Sequence, residues 1–415
     1  MMAREFDLVL YGATGFVGRL TADYVARSAP PELRVALAGR DERSLAGIRE
    51  SLGARVAGWE IARADATDAG SLDVLAARAS VIVSTVGPYL TYGLPLVEAC
   101  AKAGTHYADL TGEPMFTRWC IDGCDKLARE SGARIVNSCG FDSIPSDLSV
   151  YQLYRRATRD AEGELGDTVL VLRAFRGGMS GGTVASGKAQ ALLVARDREA
   201  RRLSRDPYTM TPDRLGEPSV ANRSEHEVRP AGDVSPELDG WAASFFMGPH
   251  NTRVVRRSNA LFDWRYGRDF RYSELMSTGT GVGGLLRASA IAGGGAVNAA
   301  LTPAVRYIPR RWLDRLGPQP GSGPDARARA RGHFATDTFT TTSSGARYRA
   351  RFAMRGDPGY AATSVMLGET GLALALDTAE LPDRAGVLTP AVALGDRLCA
   401  RLSAAGVEFD VARLD

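Results

Sequence analysis

The chain has 415 residues, of which 45% are apolar, and 51 basic residues against 48 acidic ones give it a net charge of +3. This length exceeds what a single ordinary core accommodates, so we expect two domains. The near balance of charge gives no support for a nucleic-acid-binding protein. Five cysteines, an odd number, do not suggest a disulfide framework. No signal-peptide pattern precedes the first predicted strand, and we expect a cytoplasmic protein.

A glycine-rich turn follows the first predicted strand. Residues 8–19 read Leu-Val-Leu-Tyr-Gly-Ala-Thr-Gly-Phe-Val-Gly-Arg, an apolar run that ends in three glycines spaced three apart and continues at helical spacing. In a dinucleotide fold Gly12 makes the turn, Gly15 lets a pyrophosphate approach the backbone, and Gly18 lets helix and strand pack closely. The helix N-terminus favours the phosphate charge. The predicted cofactor loop consists of Gly12, Ala13, Thr14, Gly15, Phe16, Val17 and Gly18.

Arg40 follows the second predicted strand, where a Rossmann unit reads the adenosine ribose. An arginine there pairs with the 2′-phosphate of NADP, whereas a carboxylate accepts from the 2′-hydroxyl of NAD. We therefore predict NADP. Asp41 leaves NAD open, because a shift of one residue in the turn would present its carboxylate instead.

Strands and helices alternate up to residue 137. We predict strands at 59–64, 81–85, 106–109 and 134–137, with helices at 71–79, 94–103 and 118–130. This alternation predicts an α/β fold with a Rossmann-type doubly wound parallel sheet, whose ligand binds beyond the carboxyl ends of the strands. Asp65 should then reach the adenine. Val86, Gly87 and Pro88 should lie near the nicotinamide, or else form an ordinary loop.

The pattern changes after the nucleotide unit, which indicates an inserted α+β substrate domain. We predict an NADP-binding Rossmann domain over 1–145, a substrate or partner domain over 146–375, and a C-terminal helix and strand over 376–415 that pack back on the Rossmann domain. Residues 176–183 are rich in glycine without Walker spacing, and we interpret them as a hairpin or a substrate loop.

Two further stretches have a distinctive composition. Residues 241–275 interleave aromatic residues with arginine, a pattern that fits nucleic-acid binding, a pocket for a phosphate-bearing substrate, or a sheet with one solvated face. Residues 279–308 are small and apolar, with Arg310, Arg311 and Trp312 after them. They fit a buried helical hairpin, the wall of a lipid pocket, or a peripheral membrane contact through 279–312.

Cysteine spacing gives no indication of a metal site. Cys120 and Cys124 lie four apart on a predicted helix, without a CxxC motif or a pair of histidines. We predict no metal.

Four motifs together resemble the saccharopine dehydrogenase-like oxidoreductases. They are the glycine loop at 12–18, Ser-Thr-Val-Gly-Pro-Tyr at 84–89, Gly-Thr-His-Tyr-Ala-Asp-Leu-Thr-Gly-Glu at 104–113, and Cys-Gly-Phe-Asp-Ser-Ile-Pro at 139–145. Within that family the sequence is similar to the mycobacterial trans-acting enoyl reductases, which serve polyketide synthases making phthiocerol-type lipids. Saccharopine enzymes carry Gly-Leu-Asp-Pro-Gly where this chain has Gly-Phe-Asp-Ser-Ile-Pro at 140–145, and this difference argues against amino-acid chemistry.

The resemblance implies NADPH-dependent reduction of the carbon–carbon double bond of a polyketide or lipid intermediate, presented by the carrier domain of a polyketide synthase. Such a reaction needs a proton donor near the nicotinamide. The candidates by position are Tyr107, His106 and Tyr89. The candidates for substrate binding are Asp109, Glu113, Phe141 and Asp142. Alternatively, His106 is an ordinary core histidine, Tyr107 only stacks, and the acidic residues cap loops.

Two other functions stay open. An amino-acid oxidoreductase would need an arginine-rich pocket that clamps two carboxylates, whereas an enoyl reductase would need an elongated apolar one. A nucleotide-binding, membrane-associated scaffold without turnover would bind lipid vesicles. The sequence leaves the oligomeric state open.

Overall fold

The computed structural model describes residues 4–178, 180–212, 216–217, 227–301 and 323–415. Within these ranges the strands form two seven-stranded sheets. The strands of the first sheet are β1 (Phe6–Tyr11), β2 (Val35–Gly39), β3 (Glu60–Arg63), β4 (Ala79–Ser84), β5 (His106–Asp109), β6 (Arg134–Val136) and β13 (Gly386–Leu388). They lie in the order β13-β6-β5-β4-β1-β2-β3, and every pair is parallel.

Helices cover both faces of this sheet, so its inner strands are largely apolar, and every residue of β2 is buried. The helices are α1 (Phe16–Ser28), α2 (Glu42–Leu52), α3 (Ala69–Arg78), α4 (Tyr89–Tyr92), α5 (Leu94–Ala103) and α6 (Pro114–Ser131). Asp41 and Asp68 cap α2 and α3 by accepting bonds from backbone amides of the first turn. The predicted Rossmann-type α/β fold is confirmed.

The second sheet is mostly antiparallel. Its strands are β7 (Leu165–Arg176), β8 (Val228–Pro230), β9 (Trp241–Ser244), β10 (Arg271–Gly279), β11 (His333–Thr342), β12 (Arg347–Arg355) and β14 (Glu408–Arg413). They lie in the order β14-β12-β11-β7-β10-β9-β8, and only β7 and β10 are parallel among the pairs that the structure describes. The remaining helices are α7 (Ile144–Arg159), α8 (Gly181–Arg196), α9 (Arg198–Arg205), α10 (Gly248–Leu261), α11 (Gly281–Leu301), α12 (Ala326–Arg331), α13 (Thr363–Leu376) and α14 (Pro390–Ala404).

The C-terminal part of the chain packs on the first sheet and contributes a strand to each of the two sheets. Helix α13 packs on α1 and on β4 of the first sheet, and β13 extends the edge of that sheet at β6. The last strand, β14, instead pairs with β12 of the second sheet. This pairing corrects the expectation that the final strand packs on the Rossmann domain. A single core cluster continues from Leu8 and Leu37 through α13 to Phe334 and Phe352 on the second sheet.

The stretch rich in arginine and aromatic residues is structural. It forms β9, α10 and β10, and the α10 arginines point at the chain that leaves α9. Arg253 donates to the carbonyls of Ser204 and Asp206, and Arg257 donates to the carbonyl of Met210. These guanidinium groups therefore hold a loop of their own chain, and the sheet considered for this stretch is present at its two ends, in β9 and β10.

The small, apolar segment begins as helix α11, which packs one side on β9 and β10. Ala288 is buried, whereas Val282, Leu286 and Val297 are 75%, 65% and 57% exposed. This exposure corrects the expectation of a buried hairpin over 281–301; residues 302–312 lie outside the described residues. Among the described helices, none combines the length and apolarity needed to cross a membrane. A peripheral membrane contact stays a prediction.

Candidate active site

A cavity of about 730 Å³ lies beyond the carboxyl ends of β1, β2, β4 and β5. One wall is the first sheet with its glycine loop, as expected for a ligand site of an open α/β sheet. The opposite wall comes from the second part of the chain and consists of 180–184, Ser186, Gly187, Phe246, Met247, Gly359, Tyr360 and Thr363. The glycine-rich stretch thus lines the cavity as the start of α8, with no hairpin in its described part; Met179 lies outside the described residues.

The glycine loop has the geometry that a dinucleotide requires. Gly12 has φ +90°, a conformation that side chains rarely adopt. A Cβ added at Gly18 would lie 2.2 Å from the Gly12 carbonyl oxygen, so only glycine lets α1 pack this closely on the turn. Gly15 lines the cavity, and a Cβ added there would lie 3.3 Å from the Gly12 carbonyl oxygen, a close contact that a small shift relieves. Ala13 is buried and does not line the cavity.

Arg40 lines the adenosine end of the cavity, where it makes no hydrogen bond or ion pair within the described ranges. Asp41 accepts bonds from the amides of Arg43 and Ser44 at 3.0 and 3.2 Å, and its carboxylate is committed to capping α2. Asp65 also lines the cavity and accepts from the amide and hydroxyl of Thr67. The carboxylates of Asp41 and Asp65 are thus already hydrogen-bonded, whereas the Arg40 guanidinium group is not. Such a guanidinium group suits the 2′-phosphate of NADP.

The nicotinamide end is formed by Val86 and Gly87, which line the cavity, whereas Pro88 does not. The next turn, α4, is held by the buried carboxylate of Glu113, which accepts from the amides of Tyr89 and Leu90 at 2.9 and 2.7 Å. Glu113 does not reach the cavity, which corrects its expected role in substrate binding.

Asp109 and Phe141 also lie behind the cavity wall, not in it. Asp109 is fully buried and accepts from Asn137 Nδ2 and from the amides of Thr111 and Ser138. Phe141 packs on Phe334 with ring centroids 4.5 Å apart. Both residues support the loops that follow β5 and β6, which corrects their expected contact with substrate.

Two of the three predicted proton donors lie away from the cavity. His106 begins β5 and therefore lies at the opposite end of the sheet, where its Nδ1 accepts from the amide of Arg134 at 3.0 Å. Burial and the nearby Arg134 charge lower the pKa of His106 to about 4. Tyr107 is fully buried in the core between the sheet, α5 and α6. The predicted strand 106–109 already placed His106 at the amino end of the strand, but the sequence could not show which face of the sheet Tyr107 occupies.

The third candidate, Tyr89, does line the cavity, but its hydroxyl is occupied. It donates to the carbonyl of Ser84 at 3.0 Å and accepts from the amide of Leu110 at 3.1 Å. Burial raises the pKa of Tyr89 well above its ordinary value. This tyrosine therefore fixes the loop between β4 and α4.

Of the four predicted substrate-binding residues, Asp142 alone lines the cavity. Sequence reasoning missed several of its neighbours there: Tyr92, Leu110, Phe246, Met247, Tyr360 and Thr363. They come from separate parts of the chain, and only Leu110, inside the motif at 104–113, and Tyr92, just after the motif at 84–89, carried a local signal.

The described residues contain no group of three or more histidine, cysteine or acidic side chains that could hold a metal ion. Cys120 and Cys124 are buried on α6, and burial raises the pKa of the Cys124 thiol to about 11.

Comparison with known proteins places this site in a family. Residues 8–158 match the saccharopine dehydrogenase NADP binding domain. The chain is 56% identical over 415 residues to a putative trans-acting enoyl reductase of Mycobacterium tuberculosis, with 99% of this chain and 98% of the relative covered. It is 52% and 50% identical to the trans-acting enoyl reductases of Mycobacterium bovis and Mycobacterium ulcerans, with 99% of each chain covered.

Among solved structures, apo saccharopine dehydrogenase (L-Glu forming) from Saccharomyces cerevisiae matches 98% of this chain and 99% of its own with a TM-score of 0.55. Identity is 12%, so this similarity shows the fold alone. The chain belongs to the trans-acting enoyl reductase family of saccharopine dehydrogenase-like proteins, and it is an NADP-dependent oxidoreductase.

Proposed function

We propose that the protein uses NADPH to reduce the carbon–carbon double bond of an α,β-unsaturated thioester. The substrate is a polyketide or lipid intermediate held on the carrier domain of a polyketide synthase, in the assembly of a phthiocerol-type lipid. The names of the relatives support the enoyl substrate. The resemblance described above supports the carrier and the product class.

The observation that carries the proposal is the apolar substrate side of the cavity. Leu110, Val184, Phe246 and Met247 line it. Among the described residues that form the lining, Arg40 is the only basic one, and it lies at the adenosine end. A saccharopine-type substrate has several carboxylates and needs cations to bind them. The cavity offers none there, so it favours an acyl chain over an amino acid.

NADPH, when bound, supplies a hydride. The chain's own residues orient and enclose the reactants. The glycine loop and the N-terminus of α1 bind the pyrophosphate, and Arg40 binds the 2′-phosphate. The first turn of α8 faces the cavity at Gly182, whose amide lacks an intrahelical acceptor. This amide is suited to polarise the thioester carbonyl. Phe246 and Met247 exclude water from the acyl chain.

The test is NADPH oxidation by the purified protein with 2-enoyl pantetheine thioesters of increasing chain length, free and on a carrier domain. We expect NADPH consumption and a saturated thioester two mass units heavier, with NADH much less effective. The matched control is saccharopine with NADP⁺. Oxidation of saccharopine without reduction of any enoyl thioester would reverse the assignment in favour of amino-acid chemistry.

A further inference from the structure

Asp142 lies in the turn between β6 and α7, where it borders the cavity beside Gly140 and Thr363. Its carboxyl group makes no hydrogen bond or ion pair with any part of the chain that the structure describes. The neighbouring polar groups are occupied: the Thr363 hydroxyl accepts from the amide of Phe141 at 3.1 Å and donates to the carbonyl of Pro358 at 2.8 Å. A partly buried carboxyl group without an internal partner, next to a cavity, is available to a ligand.

The other titratable groups of the cavity lining are less suited to proton transfer at the substrate. Asp65 and Tyr11 lie at the adenosine end beside Arg40. The hydroxyl of Tyr89 is occupied by Ser84 and Leu110. Among the described residues that line the cavity, this leaves three groups on the substrate side, namely Asp142, Tyr92 and Tyr360.

The two tyrosines differ from Asp142 in position. Tyr360 packs edge-on against Phe16 at 5.0 Å, next to the cofactor loop, and bonds to the backbone of Gly181. Tyr92 is 37% exposed, whereas Asp142 is partly buried. Asp142 lies in the turn that follows β6, at the carboxyl end of the sheet.

A second carboxyl group interacts with Asp142. Glu274, on β10, is buried, and it accepts from the hydroxyl of Tyr272 at 2.8 Å and from Asn251 Nδ2 at 2.9 Å. Burial raises the pKa of Glu274, and the negative charge of Asp142 raises it further. Glu274 therefore stays protonated and uncharged while Asp142 loses its proton.

We infer that Asp142 is the catalytic acid that delivers the proton to the α-carbon of the enoyl thioester. This inference rests on the proposed function. The β-carbon receives a hydride from NADPH, and the α-carbon receives the proton of the Asp142 carboxyl group. Enoyl thioester, NADPH and one proton become saturated thioester and NADP⁺, and the Asp142 carboxylate then takes a proton from water.

The pH dependence follows from the groups that surround Asp142. Burial raises the pKa of Asp142 to about 6, and burial together with Asp142 raises that of Glu274 to about 7. Tyr89 and Tyr360, whose pKa values burial raises, and His250 of α10, whose pKa it lowers to about 3, stay neutral in this range. Because the acid must be protonated, kcat/KM should fall as the pH rises above about 6.

The decisive variant is Asp142→Asn, which keeps the shape of the side chain and removes the proton. We expect its kcat to fall by about 100-fold or more. The Kd for NADPH, measured by fluorescence, should stay within about twofold because Asp142 lies away from the glycine loop. The residual activity should lose the pH dependence near 6. In the ligand-free protein, infrared titration should show a carboxylic acid band in the wild type that is missing from the variant.

Two further variants complete the test. Glu274→Gln should leave the apparent pKa of the rate near 6, because Glu274 is still protonated where Asp142 loses its proton, and a clear shift of that pKa would assign the titration to Glu274 and overturn the inference. Asp142→Asn with activity within about fivefold of the wild type overturns the inference and leaves the proposed function intact. A large loss in Tyr92→Phe together with an active Asp142→Asn assigns the proton to Tyr92 instead. A wild-type protein that binds NADPH but reduces no enoyl thioester overturns both the function and this assignment.

Discussion

Gly15 and Gly18 lie on the same loop, yet the space around them differs. Gly15 lines the cavity and a methyl group there would lie 3.3 Å from the Gly12 carbonyl oxygen, whereas one at Gly18 would collide with the same oxygen at 2.2 Å. We expect Gly15→Ala to keep the wild-type stability and to bind NADPH at least about tenfold more weakly. Gly18→Ala should instead lose about 1–3 kcal/mol of stability. Chemical denaturation and fluorescence titration of both variants measure this contrast, and equal stabilities would contradict it.

Arg40 should determine which nicotinamide cofactor binds. We expect Arg40→Ala to weaken NADPH binding by about 10- to 100-fold, the effect of losing a charge-assisted pair of about 1.4–3 kcal/mol. NADH binding should change little, since NADH has no 2′-phosphate. Arg43→Ala is the matched control, because Arg43 is exposed on the adjacent helix α2 and does not line the cavity. If Arg40→Ala weakens the binding of NADPH and NADH equally, Arg40 does not bind the 2′-phosphate.

For single residues, the sequence predicted the glycines that shape the backbone of the site better than it predicted which side chains reach the cavity. The glycine spacing predicted the cofactor loop because the backbone requires glycine at Gly12, with its φ of +90°, and at Gly18, where a Cβ would lie 2.2 Å from a carbonyl oxygen. His106 begins the predicted parallel strand, which already places it away from the carboxyl ends, whereas the position of Tyr107 depends on which helix covers which face of the sheet. That is a tertiary property, and both residues proved to lie outside the cavity.

Helix α10 shows how an arginine-rich element is used inside a protein. Arg257 is 1% exposed and donates to the carbonyls of Met210 and Val387. Arg257→Met keeps the volume but leaves both carbonyls without their donor, and we expect it to cost about 3 kcal/mol of unfolding free energy. Arg265→Met, on an exposed arginine of the same stretch, should change stability by less than about 0.5 kcal/mol. Urea denaturation of the two variants compares them, and similar losses would contradict the structural role of α10.

Local pattern predicted most elements but not where they break or pair. The stretch after the glycine-rich turn reads as one helix to about residue 205, yet Asp197 caps a new helix by accepting from the amide of Ala200. The interleaved arginines of 241–275 resemble a binding surface in sequence. Their acceptors are carbonyls some 47 to 49 residues away, which no local pattern encodes.

At the scale of the whole molecule, the C-terminal chain joins the two sheets. Helix α13 packs on the first sheet, α14 packs on α13 and α7, and β14 completes the edge of the second sheet. The sequence predicted helix α14 from Pro390 and its apolar spacing. It could not predict the partner of the last strand, because both sheets have an edge and pairing depends on their relative positions. The shared core cluster leads us to expect the two sheets to unfold together.

A charged cluster stabilises this junction. Asp377, at the end of α13, accepts from Arg397 and Arg401 of α14, and Arg401 also pairs with Glu369 at 3.0 Å. Although burial acts in the opposite direction, the bonds and charges of these arginines lower the pKa of Asp377 to about 2. A carboxyl group whose pKa is lower in the folded state stabilises the protein above its unfolded pKa. That contribution is lost as the pH falls towards the folded pKa.

The variant Asp377→Asn should therefore lose about 2 kcal/mol of unfolding free energy at pH 7, and the difference from the wild type should shrink between about pH 4 and pH 2. Urea denaturation at several pH values across this range measures it. Asp410→Asn is the control, since Asp410 is exposed on β14 and makes no side-chain hydrogen bond with the described residues. If the difference in unfolding free energy between Asp377→Asn and the wild type stays constant down to pH 2, Asp377 acts through its shape and neutral hydrogen bonds. If the difference disappears, the charge of Asp377 stabilises the contact between α13 and α14.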